Sequence, residues 1–159
     1  MNAPWWRGAR GEWYVIAQFA LFFLMVLGPR TLPGLPAIPW PAASRAVGGA
    51  LMLAGVALVL GASLRLGRSL TPLPYPRNGA QLAQTGPYAI VRHPIYSGVL
   101  LAVFGWAAWV RGPLTLLEAL AVLVLLDIKS RREERWLAER FAGYAEYQKR
   151  VRKLVPFLY

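Results

Sequence analysis

Cysteine is absent from this chain of 159 residues, so disulfides and thiolate metal sites are excluded. Histidine occurs once, at His93, which excludes a zinc site built on several imidazoles. Acidic residues are few: 7, against 18 Lys and Arg, for a formal charge of +11. No Gly-x-Gly-x-x-Gly follows a strand pattern, so a soluble dinucleotide-type fold is excluded. What the chain does have is apolar residues. They make up 57% of it, and the mean hydropathy is +0.40. A soluble domain of this size is nearer half apolar.

The apolar residues fall into four runs, at about residues 13–27, 46–64, 95–110 and 114–128. A spanning helix takes about 20 residues, so three of the four must borrow from their flanks. Trp5, Trp6, Trp13, Tyr14, Trp40, Trp106 and Trp109 stand near the proposed ends, as interfacial aromatics do. No small-residue cleavage site follows Leu27, so the first run reads as a retained anchor. Fifteen of the 18 basic residues fall on one side of this arrangement; Arg30, Arg45 and Arg111 fall on the other. The positive-inside rule then puts both termini and the 67–93 loop in the cytoplasm. Attraction to anionic headgroups accounts for the basic surplus, without nucleic acid. The expected fold is an all-α polytopic membrane bundle of about four spanning helices, with a cytoplasmic amphipathic helical tail. Residues 1–64 form the scaffold and 65–159 the functional region.

Within the second run, Ala46, Ala50 and Ala54 recur every fourth residue beside Gly55 and Gly61, which predicts close helix packing. The loop after it contains Thr71-Pro72-Leu73-Pro74-Tyr75-Pro76, whose alternate prolines favour an extended path. Runs three and four form a hairpin around Arg111-Gly112-Pro113. Glu118, one turn into run four, is placed to pair with Arg111. The tail from Lys129 to Val151 puts Leu137, Phe141, Tyr144 and Val151 on one face, and Gly143 predicts a bend or break.

The densest chemistry is Arg92-His93-Pro94-Ile95-Tyr96-Ser97-Gly98. Pro94 suits the first position of a helix and holds His93 off the helical conformation. Free amides at that helix start favour an anionic group. Arg92 can grip a carboxylate with two hydrogen bonds, and His93 can donate, accept or move a proton. The hairpin should return Glu133 and Glu134 to the same membrane face.

The run from Leu82 to Gly98, followed by Glu133-Glu134-x-x-Leu137, Phe141, Tyr144-x-x-Tyr147, Val151 and Val155-Pro156-Phe157, resembles isoprenylcysteine carboxyl methyltransferases and related phospholipid methyltransferases. The resemblance covers about residues 65–159. It implies an integral membrane enzyme that binds S-adenosylmethionine at the cytoplasmic face and takes a lipid or prenylated acceptor from the bilayer. It maps Tyr88, Arg92, His93, Tyr96, Gly98, Glu133 and Glu134 to the cofactor, with Arg92, His93 and Glu134 nearest the chemistry. Tyr144 and Tyr147 map to a lid. Phe141-Ala142-Gly143-Tyr144 is one residue shorter than the family's Phe-Gly-x-x-Tyr, which shifts the register of that lid. Methyl transfer from a sulfonium needs no metal. A carboxylate acceptor needs only orienting, whereas an amine needs a base: Glu133, Glu134 or His93. Two other readings stand beside it. A sterol-reductase-like enzyme would bind a nicotinamide cofactor instead, and a non-enzymatic scaffold would tolerate His93→Ala.

Overall fold

The computed structural model describes residues 7–8, 10–36, 38–156 and 158–159. Trp5, Trp6 and Phe157 lie outside them. Five α-helices and no strands occur among the described residues: α1 Glu12–Leu27, α2 Ser44–Leu66, α3 Pro94–Val110, α4 Pro113–Arg140 and α5 Tyr144–Arg150. The helix containing α2 is long and apolar enough to cross a membrane; α1 and α3 are apolar but shorter, at 16 and 17 residues.

The helix of the fourth apolar run does not end at residue 128. It continues without a break to Arg140, so the expected separate tail is the second half of α4. At 1.5 Å per residue, this helix of 28 residues is about 42 Å long and α3 about 25 Å. The two are antiparallel neighbours, so the charged end of α4 overshoots the start of α3. The break falls at residues 141–143, before α5.

The hairpin turn is tight because Arg111 takes the left-handed conformation (φ 56°) and Pro113 opens α4. Arg111 does not pair with Glu118. Its guanidinium donates to Ser44 Oγ at 2.8 Å and to the Ala42 carbonyl at 3.0 Å, tying the turn to the start of α2. One carboxylate oxygen of Glu118 is buried with no hydrogen-bond partner among the described residues, and the cation that acts on it is Arg30.

α2 packs chiefly on α3, and α1 on α4. The α2 face is not the expected alanine stripe. Ala46, Ala50 and Ala54 are exposed, whereas Gly48, Gly55 and Ala62 are buried at seven-residue spacing. Gly105 and Gly98 of α3 answer them, Gly48 against Gly105 and Gly55 against Gly98. A Cβ built on Gly48 would lie 2.5 Å from the Gly105 carbonyl oxygen, and one on Gly105 would lie 2.7 Å from that of Gly48. Only glycine admits backbones this close. On the other side Met25, Val103, Ala107, Ala119, Val122 and Leu126 form the core shared by α1, α3 and α4.

Candidate functional site

Pro94 occupies the first position of α3 and His93 its cap, at φ −123° and ψ 63°. The backbone ahead of the helix is pinned from an unexpected direction. Arg92 N–H donates to the Arg152 carbonyl at 2.7 Å and His93 N–H to that of Lys153 at 3.1 Å, around a parallel bridge between Val91 and Arg152. Ser97 Oγ donates to the Leu154 carbonyl at 2.6 Å. The C-terminal segment therefore fixes the two side chains that the motif presents. It is itself latched to α4: Lys153 Nζ lies 2.6 Å from Asp127 Oδ1, which Tyr159 also reaches at 2.8 Å.

The overshooting end of α4 delivers the acids. Arg92 Nε donates to Glu134 Oε1 at 2.8 Å, and His93 Nε2 lies 3.1 Å from the same oxygen. Gln148 of α5 donates to Glu134 Oε2 at 3.2 Å. Arg92 also donates to the Val151 carbonyl. Glu133 Oε2 accepts the Tyr96 hydroxyl at 2.6 Å and stands 3.8 Å from His93 Nδ1. The His93 and Tyr96 rings stack at 5.3 Å. Arg92, His93, Tyr96, Glu133 and Glu134, some 40 positions apart in the chain, form one network.

Burial opposes charge on Glu134, but hydrogen bonds and charge from His93 and Arg92 prevail and hold its carboxyl at about 2. It is a fixed anion rather than a base. Burial pushes Tyr147 up to about 12, and burial with nearby acid raises Tyr88 and Tyr144 further. All three remain hydroxyl donors at neutral pH.

A cavity of about 330 Å³ opens over this network, within the range of small-molecule sites. Tyr88, Arg92, His93, Tyr96, Glu133, Tyr144 and Tyr147 line it. The proline run forms its outer wall, held to α4 by Tyr75 against Trp136 and by Arg140 donating to the Pro76 carbonyl at 3.2 Å. Glu134 stands behind the wall, bracing Arg92 and His93. Gly98 is not on the wall; it faces α2. Tyr147 donates to the Tyr88 carbonyl at 2.6 Å, closing α5 over the loop. Tyr144 lines the cavity, and its hydroxyl is fully buried, without a hydrogen-bond partner among the described residues. An orphaned donor of this kind is costly unless a ligand meets it.

Gln18, Lys129, Gln148 and the backbone clasp of Arg152 and Lys153 are parts of the site that lie outside the motifs. Lys129 sits four residues before Glu133, hence on the same helical face, and that spacing was available. The pairing of residues 152–153 with 92–93 has no local signal. A second cavity of about 370 Å³, lined by apolar residues of α1, α2 and α3, shares Val99 with the first.

An apolar helical scaffold joined to a buried Arg–His–Glu network defines the class: a helical protein with a small-molecule-sized pocket over a charged network, beside an apolar groove. The phospholipid methyltransferase family model matches residues 43–143, and the chain belongs to that family. It is 35% identical over 83 residues to the cobalt-zinc-cadmium resistance protein CzcN of Cupriavidus metallidurans, covering 52% of this chain and 38% of that one. It is 42% identical over 73 residues to methanethiol S-methyltransferase 2 of Bradyrhizobium diazoefficiens, covering 45% and 27%. The matches thus span well under half the length of these two relatives.

Proposed function

We propose that the chain transfers a methyl group from S-adenosylmethionine to an acceptor drawn from the bilayer. The reading rests above all on one observation: the Arg-His-Pro-x-Tyr segment and the Glu-Glu segment meet over a single cavity. The unpartnered Tyr144 hydroxyl and the Glu133 carboxyl at the wall, with the Glu134 anion behind it, suit a cationic ligand rich in polar groups. Family membership supports the same reaction.

The bound cofactor supplies an electrophilic methyl on a sulfonium. The protein's part is positioning and exclusion of water. Tyr88 and Tyr144 offer ring faces at the wall, and Glu133, which accepts the Tyr96 hydroxyl, offers a carboxyl there. Arg92 is held in place by Glu134. Where the acceptor carries a proton, His93 and Glu133 are the groups at the cavity able to take it, because Glu134 is too acidic. α5 closes the site from water through Tyr147. The groove that shares Val99 offers an acceptor's tail lateral access. We further infer four spans with both termini cytoplasmic, from the 15-to-3 bias of basic residues.

Incubating membranes that contain the protein with cofactor radiolabelled on the methyl group tests the reading. Label should appear in an extractable lipid or small amphiphile, and His93→Ala should abolish it. Label absent from every fraction contradicts it. A sulfur acceptor is the second reading, favoured by the similarity to a methanethiol S-methyltransferase. In that case the label leaves as a volatile thioether.

A further inference from the structure

Among the described residues, Lys129 makes no hydrogen bond or ion pair to the network described above, yet its environment is unusual. It is only 3% exposed, and it lines the cavity. Its Nζ donates to Gln18 Oε1 of α1 at 2.8 Å and lies 5.2 Å from the centre of the Tyr96 ring. Both partners are neutral. The acid on its own face, Glu133, spends one oxygen on the Tyr96 hydroxyl and is not within ion-pair distance of Lys129. Arg92, by contrast, has Glu134 at 2.8 Å. Burial lowers the Lys129 pKa, and Glu133 opposes that shift. Charging a buried lysine beside neutral partners is costly, and an anion in the cavity would offset that cost.

Its place in the cavity gives the charge a use. Gln18, Val15 and Phe19 put Lys129 on the α1 wall, whereas Tyr88, Tyr144 and Tyr147 lie toward the loop and α5. Phe22, one turn beyond Phe19 on α1, lines the apolar groove. Lys129 therefore stands where a head group would rest if its chain lay in that groove. Arg92 is paired with Glu134 behind the wall, so Lys129 and Glu133 are the opposed ionisable groups left at the cavity. A sulfonium donor then leaves room for one negative charge on the acceptor.

We propose that Lys129, with Gln18, selects an anionic amphiphile as acceptor by binding its carboxylate or phosphate. The inference rests on the methyltransferase reading, and the test separates the two. Protein in zwitterionic nanodiscs is titrated calorimetrically with octyl phosphate, octanoate and octyltrimethylammonium, each with and without S-adenosylhomocysteine. Wild type should bind one or both anions at least tenfold tighter than the cation; which anion is preferred tells phosphate from carboxylate. Lys129→Met should lose at least tenfold for the anion and leave S-adenosylhomocysteine affinity within twofold. Lys129→Gln keeps a hydrogen-bonding group opposite Gln18 and should show the same loss, so a folding defect in the methionine variant does not decide the matter. Lys129→Arg should retain most of the affinity. No preference in wild type, or an unchanged anion affinity in Lys129→Gln, overturns the proposal. So does a parallel loss of S-adenosylhomocysteine binding, which would give the charge to the cofactor. Failure of wild type to bind S-adenosylhomocysteine, with anion selectivity intact, overturns the methyltransferase reading and leaves the anion site standing.

Discussion

The α2–α3 interface and the cavity above α3 use their residues in opposite ways. The interface is built from absences: Gly48, Gly55, Gly98 and Gly105 contribute no side chain, and the backbones meet directly. The cavity is built from surplus: Arg92, His93, Glu133 and Glu134 are charged or ionisable side chains brought together and partly satisfied by one another. The first region has little choice of residue and one geometry. The second keeps spare hydrogen-bonding capacity, in Tyr144 and Lys129, as a binding site must. Gly98 belongs to the first although it sits in the motif of the second, so one short segment serves both.

The sharpest break is expected at the interface. Gly55→Leu should prevent folding, because its side chain meets backbone rather than a movable side chain and so exceeds the roughly 1–3 kcal/mol of ordinary overpacking. Gly61→Ala, whose Cβ meets nothing within 4 Å, should instead raise the melting temperature slightly, by up to about 1 kcal/mol of helix propensity. Equal behaviour of the two variants in a detergent melt would refute the interface. Next comes Glu134→Ala, which leaves Arg92 buried without its carboxylate. The expected loss is about 3–5 kcal/mol, read as a lower melting temperature, with membrane insertion retained.

An effect of acid should follow from the same pair. The Glu134 pKa falls from 4.5 to about 2 on folding, so its contribution is complete above pH 4.5 and is lost as pH drops toward 2. Melting temperatures of wild type should decline over that window more steeply than those of Glu134→Gln; parallel curves would remove Glu134 as the cause. The smallest effect on stability is at Tyr144. Tyr144→Phe removes a hydroxyl that has no partner among the described residues, so the unliganded protein should keep its stability within about 1 kcal/mol of wild type, while binding of S-adenosylhomocysteine weakens.

How much of this was legible in the sequence follows the range of each signal. The four apolar runs, the Arg111-Gly112-Pro113 turn and the break near Gly143 are local, and the helix starts fall where periodicity and proline place them; the extension of α4 past residue 128 to Arg140 does not follow from the apolar pattern. The meeting of Arg92 with Glu134 follows from the length of one hairpin and was within reach. The alanine stripe was misjudged because small residues occupy two faces of α2, and spacing alone does not say which face meets a neighbour. The Arg111–Glu118 pair failed because Arg111 had nearer acceptors in Ser44 and Ala42, on a chain segment 67 positions away. The clasp of the C-terminal segment onto Arg92 and His93 is backbone pairing and leaves no residue signature. Lys129 was hidden among the nine basic residues of the tail, where charge read as topology.

The central claim is that the motif before α3 and the acids of α4 enclose one cofactor. Equilibrium binding of S-adenosylhomocysteine to the purified protein tests it most directly, comparing wild type with Arg92→Ala and Glu134→Ala. The account predicts saturable binding of one ligand per chain in wild type and none in either variant, with all three inserted in the membrane. Binding of equal strength in all three, or none in wild type, would contradict it.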